Sequence, residues 1–202
     1  MTPDLAGNLA GLRAASATLG RATAFLGGGL CTGKESPALP LAIAGPYRAK
    51  VIGNGLRELD RFLNLLADQV ARLTAPADFD LAAFARQRNT ANKLRTIGAT
   101  ASHADRRARL RAIGRSRDCL FHCGGIVRRG DGRHDRRMTA GWPATGDASD
   151  APPLRLPLGE KLLVSAIDLQ RVCQFYDRLA TDLTQETIAY LGRDCFFGRE
   201  RL

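Results

Sequence analysis

Two side chains in the segment "GRSRDCLFHCGGIV" are suited to chemistry on an anion: Arg117 and, five positions later, His122. An imidazole titrates near neutrality and can take or give a proton. A guanidinium stays charged and presents a fixed fork of donors to a phosphate or carboxylate. Arg117 is also unusually placed. The apolar stripe of its helix runs Leu110, Ile113, then Arg117, then Leu120, so the arginine occupies a slot that periodicity assigns to the core or to an interface. Burying an unpaired charge is very unfavourable. An arginine in such a slot faces a partner, a cleft or an anion.

At 3.6 residues per turn, His122 is rotated about 140° from Arg117 and displaced about 7.5 Å along the axis. The two do not stack as residues three or four apart would. One site using both needs either an uncoiled helix end, which Gly124-Gly125 would allow, or a second copy of the helix across a two-fold axis. The second option implies a homodimer with its cleft at the interface. The same spacing recurs at Arg129 and His134 in "RGDGRH", but in a Gly-rich segment with no helical context.

Two other chemistries are weaker. Cys119, His122 and Cys123 lie close together in "CLFHC", yet no second cluster completes a zinc ligand set, so no metal or cofactor is expected. "GGGLCTGKE" has the glycines and lysine of a phosphate-binding loop. Glu35, however, stands where a Ser or Thr should hold magnesium, and Pro37 and Pro40 follow where a helix should begin.

The elements that would position Arg117 and His122 are helices. Leu59, Phe62, Leu63, Leu66, Val70 and Leu73 mark one stripe of a helix from about Pro46 to Leu73. A second is expected from Asp80 to Ile97. A third starts at Ser102, where "SHAD" resembles a capping box, and stops at Gly124-Gly125. Residues 124–158 read as a long loop bracketed by short extended pieces at "IVRR" and "LRLPL", and a last helix runs from about Ser165 to Leu191. Residues 3–26, rich in Ala, Gly and Leu, form a loosely specified helix. The fold class is therefore all-α: an antiparallel four-helix bundle with an irregular or short hairpin excursion before its last helix.

At 202 residues the chain suits one domain able to bury a real core. No run is long and apolar enough to cross a bilayer, and Asp4 precedes any basic residue, so the amino terminus is a poor signal peptide. Five scattered cysteines suit a reducing compartment, and cytoplasm is the expected location. The formal charge is +10, and eleven arginines against three aspartates between Arg106 and Arg137 contribute +8 of it. Such a surface attracts polyanions, among which nucleic acid is the commonest.

"RDCLFHCGGIV" resembles the signature of the HEPN superfamily (higher eukaryotes and prokaryotes nucleotide-binding domains). That signature is an arginine, a polar residue, a few mostly apolar residues, then a histidine near a helix end, often followed by glycine. Arg117, Asp118 and His122 fill those places, and the layout from about Pro46 to Leu191 is similar as well. Asp118 stands where Asn or His is more frequent, and the first 35 residues have no counterpart.

The resemblance implies an HEPN-like helical domain over 36–202, preceded by an Ala/Gly-rich arm or extra helix over 1–35. It implies a metal-independent endoribonuclease of the toxin or anti-phage type, cleaving RNA in a homodimer cleft, with an antitoxin or regulatory protein as a further partner. Arg117 would stabilise transition-state charge, His122 would move the proton and Asp118 would polarise or orient. Arg111 and Arg115 would contact the RNA backbone. The alternative is a non-catalytic HEPN-like RNA-binding or structural dimerisation module, in which Arg117 makes an interface salt bridge and His122 caps the helix. A DNA-binding factor fits less well, because Leu120 and Phe121 stand where base-reading polar residues would be needed.

Overall fold

The computed structural model describes residues 5–29, 43, 45–97, 104–143 and 152–197. In chain order these form α1 (Leu5–Ala24), which ends in a π turn over Phe25–Gly29, then α2 (Arg48–Thr74), α3 (Leu81–Arg86), α4 (Thr90–Thr96) and α5 (Ala104–Cys123). The strands β1 (Arg137–Pro143) and β2 (Pro153–Pro157) precede α6 (Ala166–Phe197). The fold is mostly helical with one small two-stranded sheet. No helix among the described residues is long and apolar enough to cross a membrane.

The central element is α2, which packs on α1, α5 and α6. Its inner face carries Ile52, Leu56, Leu59, Leu63, Leu66 and Val70, all buried, while Phe62 and Leu73 pack at the edge of the same core. Each fully buried leucine contributes roughly 1.5–3 kcal/mol relative to exposure. Small residues set how closely the helices approach. A Cβ on Gly53 would lie 2.8 Å from the Phe121 amide nitrogen, so α2 and α5 touch backbone to backbone there. The first helix joins the same core through Leu12, Leu19 and Leu26, spaced seven apart. The described part of the 1–35 segment is thus a packed helix.

Three expectations need correction. The helix expected over 80–97 is two short helices. Asp80 accepts a bond from the Ala83 amide to cap the first, Asn89 accepts from Asn92 to cap the second, and the chain between them is extended at Gln87. An internal Asn that caps competes with helix continuation, and here it wins. The extended piece expected at "IVRR" is reduced to an isolated antiparallel bridge between Ile126 and Lys161, flanked by backbone bonds from Val127 to Glu160 and from Leu162 to Gly125. The strand lies later, at 137–143, and pairs antiparallel with 153–157, placing Arg137 opposite Pro157 and Thr139 opposite Arg155. Its start is set by Asp131, which accepts from the Thr139 amide at 2.8 Å and binds Arg115 at 2.8 Å. Finally, the closing helix begins where expected, at Ala166 after the mutual cap of Ser165 and Asp168, but runs past Leu191 to Phe197. The expected start of the third helix at Ser102 and most of the phosphate-loop-like segment lie outside the described residues.

Candidate functional site

Both residues of the arginine–histidine pair lie on α5. That helix stays regular through Cys123 and is stopped by Gly124 and Gly125, whose φ angles are 60° and 87°. The Gly125 amide bonds back to the Cys119 carbonyl at 3.0 Å, the closure expected of a glycine-terminated helix. The end is therefore not uncoiled before His122. The rotation of about 140° between Arg117 and His122 is retained, and within one chain they face different surroundings.

Arg117 points toward α2, as its place in the apolar stripe requires. Its Nη1 donates to Asp60 Oδ2 at 2.9 Å and its Nε to Asp118 Oδ1 at 2.9 Å. The guanidinium side chain keeps 25% of its surface exposed and Asp60 keeps 20%. Burial opposes the Arg117 charge, but the hydrogen bond and charge of Asp118, followed by the charge of Asp60, outweigh it and raise its pKa. The carboxyl of Asp60 is also held above its ordinary value, chiefly by burial, with Arg117 and Thr90 pulling against that shift. Tyr176 on α6 lies behind this pair, fully buried. Burial, followed by the charge of Asp60, lifts its phenol well above its usual range.

His122 lies on the outer side, exposed, with its ring edge-on to Phe121 at 4.8 Å between centroids. Two cations from α2 approach the Phe121 ring, Lys50 at 5.7 Å and Arg57 at 5.8 Å. The result is an aromatic and cationic patch at the α2–α5 edge, of the kind that stacks bases and attracts phosphates. Along α5, Arg111, Arg115, Asp118 and His122 follow one another at spacings of four, three and four, so they share a face. Arg111 is exposed on it, and Asp118 remains largely exposed. Arg115 is engaged by Asp131.

The thiol of Cys119, beside this site, is buried and pushed up to about 11, by burial and then by Cys123. It is an unreactive thiol at neutral pH. Among the described residues no three His, Cys, Asp or Glu side chains gather as a metal site.

Sequence reasoning missed the polar edge of α2 that receives Arg117. Asp60, Asn64 and Asp68 lie four apart beside the apolar stripe. Asn64 donates to Thr90 Oγ1 at 3.3 Å and accepts from Lys93, which is fully buried, binds Asp68 at 2.6 Å and lies 4.9 Å from the Phe84 ring centroid. The spacing of these three residues is the signal that could have revealed a buried polar seam. Comparison with family models, curated proteins and solved structures yields no match.

Proposed function

We propose that this chain is an HEPN-like metal-independent endoribonuclease whose working unit is a pair of chains. One observation carries the proposal: Arg117 is fixed by two carboxylates at a partly exposed position, while His122 stands exposed on the same regular helix. In this reading α2, the α3–α4 pair, α5 and α6 form the antiparallel four-helix bundle, with β1–β2 as the hairpin excursion. His122 of one copy and Arg117 of the other flank the scissile phosphate. The imidazole takes the 2′-hydroxyl proton, the 2′-oxygen attacks phosphorus, and the 5′-oxygen leaves with a proton returned by an imidazolium. The product carries a 2′,3′-cyclic phosphate. Arg117 stabilises the added negative charge on the non-bridging oxygens. Asp118 orients Arg117, and Arg111 with the Lys50–Arg57–Phe121 patch supplies RNA contacts.

A second reading is favoured by the Asp60–Arg117 pair itself. An arginine already satisfied within one chain needs no substrate, as in a non-catalytic RNA-binding or dimerisation module. The two readings separate in one assay: mixed RNA incubated with purified protein in EDTA, beside Arg117→Ala and His122→Ala. The enzyme reading expects cleavage by the parent chain and a loss of roughly 100-fold or more in each variant. Cleavage that survives both substitutions rejects the site. No cleavage by the parent, with salt-sensitive RNA binding intact, selects the binding module.

A further inference from the structure

The face of α5 opposite Arg117 borders a cleft of about 750 Å³ between α5, β1 and α6. Its basic wall is built from Arg109 on α5 and from Arg171 and Arg178 on α6, one helical face at spacings that also place Phe175 there. Among the described residues none of these three arginines forms an ion pair. Arg109 rests on the Phe175 ring, 4.6 Å from its centroid, and reaches the Arg171 carbonyl only at 3.5 Å. The pKa of Arg109 is lowered by burial, then by the charges of Arg178 and Arg171. Among the described residues one acid, Asp105, lines the cleft apart from Asp131, which is already bound to Arg115.

Two buried donors here lack partners among the described residues. Trp142 is 3% exposed, and among the described residues neither its indole N–H nor Nη1 of Arg171 makes a hydrogen bond. A buried donor left unmade costs free energy, and three like charges sharing a cleft repel. An anion with several acceptor oxygens removes both penalties at once. The cleft exceeds what inorganic phosphate fills and lies within the range of small-molecule sites. Ala108, Ala112, Trp142, Pro143, Pro153 and Phe175 give it apolar walls.

We infer that this cleft binds a phosphate ester of nucleotide size, its phosphates on Arg109, Arg171 and Arg178 and its organic part against the apolar walls. The inference does not rest on the ribonuclease reading: neither Arg117 nor His122 lines the cleft, and Arg115, which does, is already bound to Asp131. Trp142 is the one tryptophan of the chain, so its fluorescence reports on the cleft directly.

The test titrates the full chain with adenosine triphosphate, tripolyphosphate, adenosine and a short oligoribonucleotide. The expected result is a saturable fluorescence change with the nucleotide and none with adenosine. Binding of tripolyphosphate should be roughly tenfold weaker, and Arg171→Gln or Arg178→Gln should weaken nucleotide binding by roughly tenfold or more. Arg178 is exposed, so its variant keeps the test valid if Arg171→Gln fails to fold by circular dichroism. The inference is overturned by the absence of a saturable change, by equal affinity for tripolyphosphate, by binding indifferent to the arginines, or by a response to the oligoribonucleotide alone.

Discussion

At the scale of single residues, the question set by Arg117 has a concrete answer: the slot in the apolar stripe faces a carboxylate. Both partners keep a fifth to a quarter of their surface in solvent, and Asp118 offers a second acceptor. The Asp60–Arg117 coupling is therefore smaller than that of a sealed pair, about 1–2 kcal/mol in a double-mutant cycle of Asp60→Asn and Arg117→Gln read by urea unfolding. A coupling near zero would show that the contact is decorative. Asp60 also carries a pH signature. Its folded pKa lies above 3.8, so the folded chain holds this proton more tightly than the unfolded one. The resulting stability is fully present below 3.8 and is lost as pH rises through the folded value. The stability of the parent chain relative to Asp60→Asn should accordingly increase as pH falls from 7 toward about 4, checked by paired denaturant curves.

Between elements, two kinds of contact fix the geometry. One is steric. Gly53 lets α2 and α5 meet where Arg117 and Phe121 lie, and the neighbouring atoms, the Phe121 amide nitrogen and Cβ and the Arg117 carbonyl, cannot step aside without moving the α5 backbone. Alanine at position 53 would gain helix propensity worth about 1 kcal/mol, yet overpacking of about 1–3 kcal/mol outweighs it. Gly53→Ala should lower thermal stability and, in the ribonuclease reading, activity together. The other contact is polar. Lys93 fixes α4 to α2 through Asp68 and Asn64 from a fully buried position. Lys93→Met alone leaves Asp68 without its cation and should cost about 3–5 kcal/mol, whereas Lys93→Met with Asp68→Leu should recover most of that loss. Calorimetric melting of the three chains decides this. A double variant as unstable as the single one would mean that the seam is held by packing instead.

For the whole molecule, a regular α5 means that, in the ribonuclease reading, Arg117 and His122 can share a site only across two copies. Complementation follows from this. Mixing Arg117→Ala with His122→Ala and allowing exchange makes half the dimers mixed, each with one intact composite site, and restores about a quarter of parental cleavage. A site contained in one chain restores none. Sedimentation of the parent chain as a dimer at assay concentration is the companion measurement. In either reading proposed for RNA, the +10 charge adds the expectation that binding weakens steeply with salt.

The sequence by itself determined the helical class, the long stripe of α2, the glycine stop of α5 and the anomaly of an arginine within an apolar stripe. All of these are local regularities of spacing and type, which a chain carries whatever its tertiary arrangement. It did not reveal the break at Asn89, where capping overcame helix continuation, nor the strand at 137–143, whose start depends on Asp131 reaching both Thr139 and Arg115. The tertiary structure alone decided that Arg117 meets Asp60, 57 positions away, and that Arg109, Arg171, Arg178 and Trp142 border one cleft. Those meetings depend on how each helix is rotated and how closely small residues such as Gly53 let it approach. Summed packing across the core sets both, and no local pattern encodes them.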